Sequence, residues 1–206
     1  MRENLDILKD RFGADAVIVP GFIRSDLSMT DGNTNMQFLV KKGEKIALAP
    51  ERLLDFKDAF AITRYGVLLV FETVAAPGTG KLETYPNATV FAGTGLTAAS
   101  LEKLYNGSLG IKVGQDQLIE AYPTHNFRVV RTTQQASSTT KSEQLPADGF
   151  ASAQPMLILK GNEKLDVIVT RPATSGEGVQ LTDTSTNIVK VVFFAQGYTI
   201  YGAGGK

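Results

Sequence analysis

Enzyme chemistry needs side chains that move protons, hold metals or attack carbonyls, and this chain is poor in them. It has no Cys, no Trp and a single histidine, His125, in 206 residues. A zinc shell needs further imidazole or thiolate ligands, and His125 has none to join it. A Ser-His-Asp arrangement would use it as the base, yet no Gly-x-Ser-x-Gly turn is present, and Asn106-Gly107-Ser108-Leu109-Gly110 does not reproduce one. His125 therefore reads as a loop residue just before a strand.

Two short segments imitate binding loops and fail at essential positions. Asp31-Gly32-Asn33-Thr34-Asn35 places oxygen ligands at alternate positions, as a calcium loop begins. Its sixth and twelfth positions, Gly and Glu in a working loop, are Met36 and Lys42. An Asx-rich turn is the expectation. Ala75–Leu82 carries a Gly-Lys pair, but Ala75 stands where a phosphate loop opens with Gly, and Leu82 where Ser or Thr reaches magnesium. Seven carboxylates, Glu51, Asp55, Asp58, Glu72, Glu83, Glu120 and Asp166, are candidates for the acid pair of a glycoside hydrolase. No spacing pairs them, so solvated surface charge is expected. Asn87-Ala88-Thr89 and Asn106-Gly107-Ser108 match the glycosylation triplet, which carries little meaning without a signal peptide. Tyrosines 65, 85, 105, 122, 198 and 201 fall at element ends, where they can line a sugar-binding face or rim a core. No catalytic, cofactor-binding or metal residue is assigned, and no cofactor is expected.

The elements that would have to position any site are mostly strands. Residues 4–12 form an amphipathic helix, with Leu5, Leu8 and Phe12 on one face and Gly13 at its end. Strands are expected at 16–19, 36–40 and 46–48, the last two joined as a hairpin, with a polar segment over 25–35. Pro50 is placed to open a helix burying Leu53, Leu54, Phe56 and Phe60. The unbroken run Val67–Phe71 predicts a strand buried on both faces within 66–74. A strand over 83–91 and a helix over 98–105, capped by Thr97, come next. Short segments 111–113, 117–120 and 127–131 follow at regular intervals, the first two flanking a turn at Gly114-Gln115-Asp116. The Ser/Thr/Gln-rich stretch 132–148 reads as a long loop. Residues 156–160 and 165–170 read as a hairpin around Gly161-Asn162-Glu163. After a second polar loop, 171–186, come a strand at 188–195, a turn at Gln196-Gly197 and a strand at 198–201. Many short strands with polar turns predict a mainly β chain with a few short helices: an antiparallel, jelly-roll-like β-sandwich. An N-terminal α+β portion, 1–65, precedes a β body, 66–206, or the two form one continuous domain.

Composition bounds the partners. The chain is 43% hydrophobic and 20% charged, enough to bury a core, and its 21 basic and 21 acidic residues cancel. Without a basic excess, strong nucleic-acid binding is not expected, and zero net charge lowers the barrier to self-association. No run of about 18–20 apolar residues exists, so no membrane insertion is expected. The charged N-terminus does not look like a signal peptide, which gives an expectation of synthesis in the cytoplasm.

The segment Leu101–Gly114, the segment from Phe127 through Gln134, and Gln154–Val169 together resemble phage capsid proteins built on jelly rolls. The resemblance covers roughly residues 66–200 and rests on strand rhythm and short phrases. It implies a non-enzymatic virion structural protein that self-assembles as a homo-oligomer. Its partners would be copies of itself and other virion proteins, and it would reside in the virion after synthesis in host cytoplasm. A carbohydrate- or receptor-binding β-sandwich module is the alternative, and a β-sandwich glycan hydrolase the third reading.

Overall fold

The computed structural model describes residues 2–29, 34–86, 90–91, 101–130, 149–172 and 187–204. Helix α1 (Arg2–Phe12) precedes strands β1 (Ile18–Ser28), β2 (Asn35–Phe38), β3 (Ala59–Thr73), β4 (Leu82–Glu83), β5 (Ser108–Val113), β6 (Asp116–Pro123), β7 (Ala151–Lys160), β8 (Leu165–Thr170) and β9 (Asn187–Ile200). Two single 3-10 turns, Lys103–Asn106 and Thr124–Phe127, flank the β5–β6 pair. The pairings nest: β5 with β6, β3 with β7, β2 with β8 and β1 with β9, all antiparallel. Leaving the two-residue β4 aside, the chain is one long antiparallel ribbon turned at Gly114-Gln115. Rolling that ribbon brings β3 beside β9 and β5 beside β8. The result is two facing sheets, β1-β9-β3-β7 with β4 also on β3, and β2-β8-β5-β6. This is the strand order of a jelly roll, and the chain is a mainly β, antiparallel sandwich.

Alternating side chains fill the space between the sheets. Val67 and Leu69 of β3, Val191 and Phe193 of β9 and Leu159 of β7 meet Val167 and Val169 of β8 in one buried cluster. Phe71 and Leu157 pack against it from partly buried positions. Phe38 and Phe193 touch across the sheets, with ring centroids 6.1 Å apart. Val129, in the expected 127–131 strand, is only half-buried and outside this cluster.

One extra residue decides which face of β3 does what. Ile62 pairs with Gly197 and Arg64 with Gln196, so Thr63 is a bulge, and its hydroxyl donates to the Gln196 carbonyl at 3.1 Å. A one-residue insertion exchanges the faces of a strand. Before it Phe60 and Ile62 point inward and Ala59 and Ala61 outward; after it Tyr65, Val67 and Leu69 point inward and Leu68 and Val70 outward. The small outward alanines leave room for α1. Its Leu8 and Phe12 are buried against Ala59, Ala61, Ile158, Tyr198, Ile200 and Ala203, and Leu5 packs alongside. Gly13, at φ 107°, ends the helix and donates to the Lys9 carbonyl. The helix stripe is therefore covered by the chain's own sheet.

Several local expectations are corrected. The 156–160 and 165–170 strands form but do not pair; β7 joins β3 and β8 joins β5 and β2, so Gly161 turns the chain between sheets. A Cβ at Gly161 would lie 2.0 Å from the Asp55 carbonyl, which is why this corner takes glycine. β9 runs straight through the expected Gln196-Gly197 turn. Gly197 is needed there because a Cβ would lie 1.8 Å from the Ala61 carbonyl.

Residues 46–48 form no strand, and Ile46 is 95% exposed. The segment after Pro50 is extended rather than helical, because Arg52 and Leu54 make backbone bridges to Arg24 and to the 40–42 turn. Leu53 and Leu54 are buried from that extended segment, while Phe56 is exposed. Ser25–Ser28, expected as part of a polar loop, belongs to β1; the buried Ser25 hydroxyl is satisfied by donating to the Leu39 carbonyl. Of the expected 83–91 strand, Glu83 belongs to β4, residues 84–86 and 90–91 are not strand and 87–89 lie outside the described residues, and Phe127 closes a 3-10 turn instead of opening a strand. The first residues of the expected 98–105 helix and the stretches 132–148 and 173–186 lie outside the described residues. The boundary drawn at 65/66 falls inside β3, and β1 and β2 supply strands to both sheets.

Candidate functional site

The seven candidate carboxylates are spread over the structure and most hold it together. Glu51 accepts from the backbone N–H of Asp26 at 2.6 Å and of Leu48 at 2.7 Å, and from the Lys45 ammonium. Lys45 also donates to the Asp26 carbonyl at 2.9 Å, and Arg52 exchanges backbone bonds with Arg24. The outward backbone groups of β1 at Arg24 and Asp26, which would otherwise be a bare sheet edge, are thus closed by one loop. Beside them Arg24 and Asp26 form a buried bidentate pair, both bonds at 2.8 Å. Burial works to raise the Glu51 carboxyl, but the Lys45 hydrogen bond, the two N–H donors and the Lys45 charge together hold it below the usual glutamate value.

Glu72 is buried on the outer face of β3, where Lys190 of β9 and the Gly78 N–H both donate to it. Gly78 lies in the Ala75–Leu82 segment, at φ 83°, so this loop turns its N–H toward a carboxylate of its own chain. Asp55 bonds Lys42 and the Lys57 N–H, Asp58 accepts from the Gly202 N–H, and Asp166 meets Lys164 and Gln37. Glu83 is half-buried in β4, and desolvation pushes its carboxyl up, opposed by Lys81. Glu120 is exposed on β6. Among the described residues no three acidic or imidazole groups converge as a metal ligand set. His125 is exposed in its 3-10 turn. Asp31 and Asn33 lie outside the described residues, while Asn35 accepts from the Thr170 hydroxyl and Met36 is a core residue.

The concave surface lies along β7. Four residues, Ala153–Met156, stand between the pairs Leu157–Ile62 and Ser152–Arg64, opposite the single Thr63. The excess forms a hump, with a cis Gln154–Pro155 peptide at its crest. A hollow opens on each side of it. The first, about 500 Å³, runs toward the β6 edge and is lined by Tyr65, Asp116, Gln117 and Leu118. The second, about 560 Å³, lies toward α1 and is lined by Glu3, Asn4, Ile7, Arg11 and Arg64. Arg11 and residues 152–156 contribute to both.

Tyr65 is the deepest aromatic at this place. Its ring meets Tyr122 edge-on at 5.6 Å and Phe127 at 5.9 Å. Burial, helped by the neighbouring Tyr122, pushes its phenol up to about 12, so it is a neutral hydroxyl at ordinary pH. Tyrosines 105 and 198 are buried elsewhere and Tyr201 is exposed, so the six do not make one sugar-binding face. Arg11 and Arg64 escaped the sequence reading. Only the bulge, which brings an exposed β3 residue beside the helix, makes them neighbours of one hollow.

No protein-family model, curated protein or solved structure matches the chain. Among the described residues no helix is long and apolar enough to cross a membrane.

Proposed function

We propose that the chain is a non-enzymatic structural protein of a virus particle, a capsid component of a phage, that assembles through contacts between copies of itself and with other virion proteins. The observation that carries this reading is the nested strand pairing, β1 with β9 through β5 with β6, which is the jelly roll used by capsid shells. Fold alone does not fix function, because lectins and metal-binding barrels share it. The space between the sheets is filled by a cluster of Met, Leu, Val, Ile and aromatic side chains, as a structural shell subunit requires. Of the seven candidate carboxylates, Glu51, Asp55, Asp58, Glu72 and Asp166 are engaged in hydrogen bonds or ion pairs, while Glu83 and Glu120 lie apart on β4 and β6. The strand rhythm that resembles phage capsid proteins falls on β5, β7 and β8, elements of the roll.

Electron microscopy of the native particle tests the proposal. Closed shells, or incorporation into a virion at symmetric positions, are the expected result. A uniform monomer that turns over glycans would replace this reading with the hydrolase.

A further inference from the structure

We infer that the hollow between α1 and β7 binds a saccharide bearing one carboxylate, such as a uronic or sialic acid. This inference is independent of the virion reading, since a shell protein and a free binding module could equally carry the site. Its volume, about 560 Å³, falls within the roughly 300–1,000 Å³ typical of small-molecule sites. The charged groups of its lining are Arg11, Arg64 and Glu3, two positive and one negative. Neither guanidinium has an ion pair or hydrogen bond among the described residues, and both arginines are exposed to solvent at the hollow. Arg11 instead lies 5.7 Å from the Phe12 ring centroid, a contact that restrains the side chain without using its N–H donors.

A guanidinium with free donors in a concave site is suited to a planar oxyanion, which it can grip through two parallel bonds. The excess of one positive charge in the lining balances a monoanion and leaves a phosphate dianion with one charge uncompensated. The rest of the lining favours a sugar over a simple carboxylate. Asn4, Ser152 and Gln154 offer amide and hydroxyl groups for ring hydroxyls, and Ile7 and Pro155 offer apolar surface for a ring face. Ile7 is 51% exposed although α1 is docked through its opposite stripe, so this apolar side chain faces the hollow uncovered.

Titration of the full-length chain with glucuronate, N-acetylneuraminate, glucose and inorganic phosphate, followed by ligand-observed NMR, tests this. Saturable binding of either acidic sugar is expected, with glucose and phosphate each at least about tenfold weaker. Arg64→Gln and Arg11→Gln should each weaken the acidic sugar by about tenfold, the loss of one charge-assisted contact. Their thermal melts should match the parent chain, which separates lost binding from lost folding. Binding of neither acidic sugar, equal binding of glucose or phosphate, or affinity unchanged in both variants would overturn the assignment.

Discussion

Strands β1 and β7 lie on opposite flanks of the same sheet and are finished in opposite ways. At β1 the outward backbone groups of Arg24 and Asp26 are closed by Arg52, Glu51 and Lys45, and the neighbouring guanidinium is locked onto Asp26. At β7 the strand swells into a hump, two hollows open beside it, and the guanidiniums of Arg11 and Arg64 have no partner among the described residues. Polar groups tied to each other hold a fold; polar groups left free at a concave surface are available to a ligand. On that distinction, substitutions at the β1 flank should cost stability, and those at the β7 flank should cost only binding.

The largest effect belongs to neither flank but to the interior on which both rest. Phe193→Ala removes a fully buried ring that meets Phe38 across the sheets and should cost on the order of 3–5 kcal/mol in urea unfolding. A loss below about 1 kcal/mol would mean that the sheets do not pack as described.

Glu51→Gln comes next and tests the closed flank. The variant keeps the shape but loses charge-assisted bonds from three donors, and a cost of about 1–3 kcal/mol is expected near neutral pH. The sign of its pH dependence is fixed by the lowered carboxyl. Stability from Glu51 is fully present above the unfolded glutamate value of 4.5 and is lost as pH falls through the lower folded value. Glu83 acts in the opposite sense. Its carboxyl is raised on folding, so its contribution is present below the unfolded value and lost as pH rises through the folded one. Melts across the acid range should therefore show a shallower acid loss in Glu51→Gln than in the parent, and an identical slope would remove Glu51 from the flank's closure.

Tyr105→Phe should move the other way. The Tyr105 hydroxyl is buried with no hydrogen-bond partner among the described residues, so deleting it should stabilise the fold by about 1 kcal/mol, measurable as a raised midpoint. The smallest effect is assigned to Arg64→Gln, which lies on the open flank. Its unfolding free energy should stay within about 0.5 kcal/mol of the parent. A larger loss would make Arg64 a structural residue and erase the contrast between the flanks.

How far these features can be read from the sequence depends on the range of the contacts that make them. The helix stripe Leu5, Leu8, Phe12 and the strand run Val67–Phe71 follow from local periodicity, and both form. The 156–170 hairpin does not, because in a rolled ribbon only β5 and β6 are neighbours both in sequence and across one turn. Apart from the two-residue β4 on β3, every other strand pairing among the described residues joins residues far apart, which short-range patterning does not encode. Pro50 and the adjacent leucines imitate a helix start, but bridges to Arg24 and the 40–42 turn draw that segment straight. The role of Glu51 depends on Asp26, which is 25 positions away. The Thr63 bulge leaves no signature in composition, and with it the meeting of Arg11 and Arg64 stays hidden until the sheet is built. The motif failures at Ala75, Leu82, Met36 and Lys42 are local and legible without the fold.

Assembly is the claim on which the functional reading stands, and sedimentation velocity of the purified full-length chain over a rising concentration series addresses it most directly. Helix α1 is docked on its own sheet, so the assembling species should be the intact chain, and deleting residues 1–13 should unfold or loosen the protomer instead of releasing smaller, stable units. Growth from protomers to discrete, much larger closed species is expected at zero net charge and moderate salt. A single monomer peak that stays unchanged across the whole series, in the chain's folded state, would contradict it.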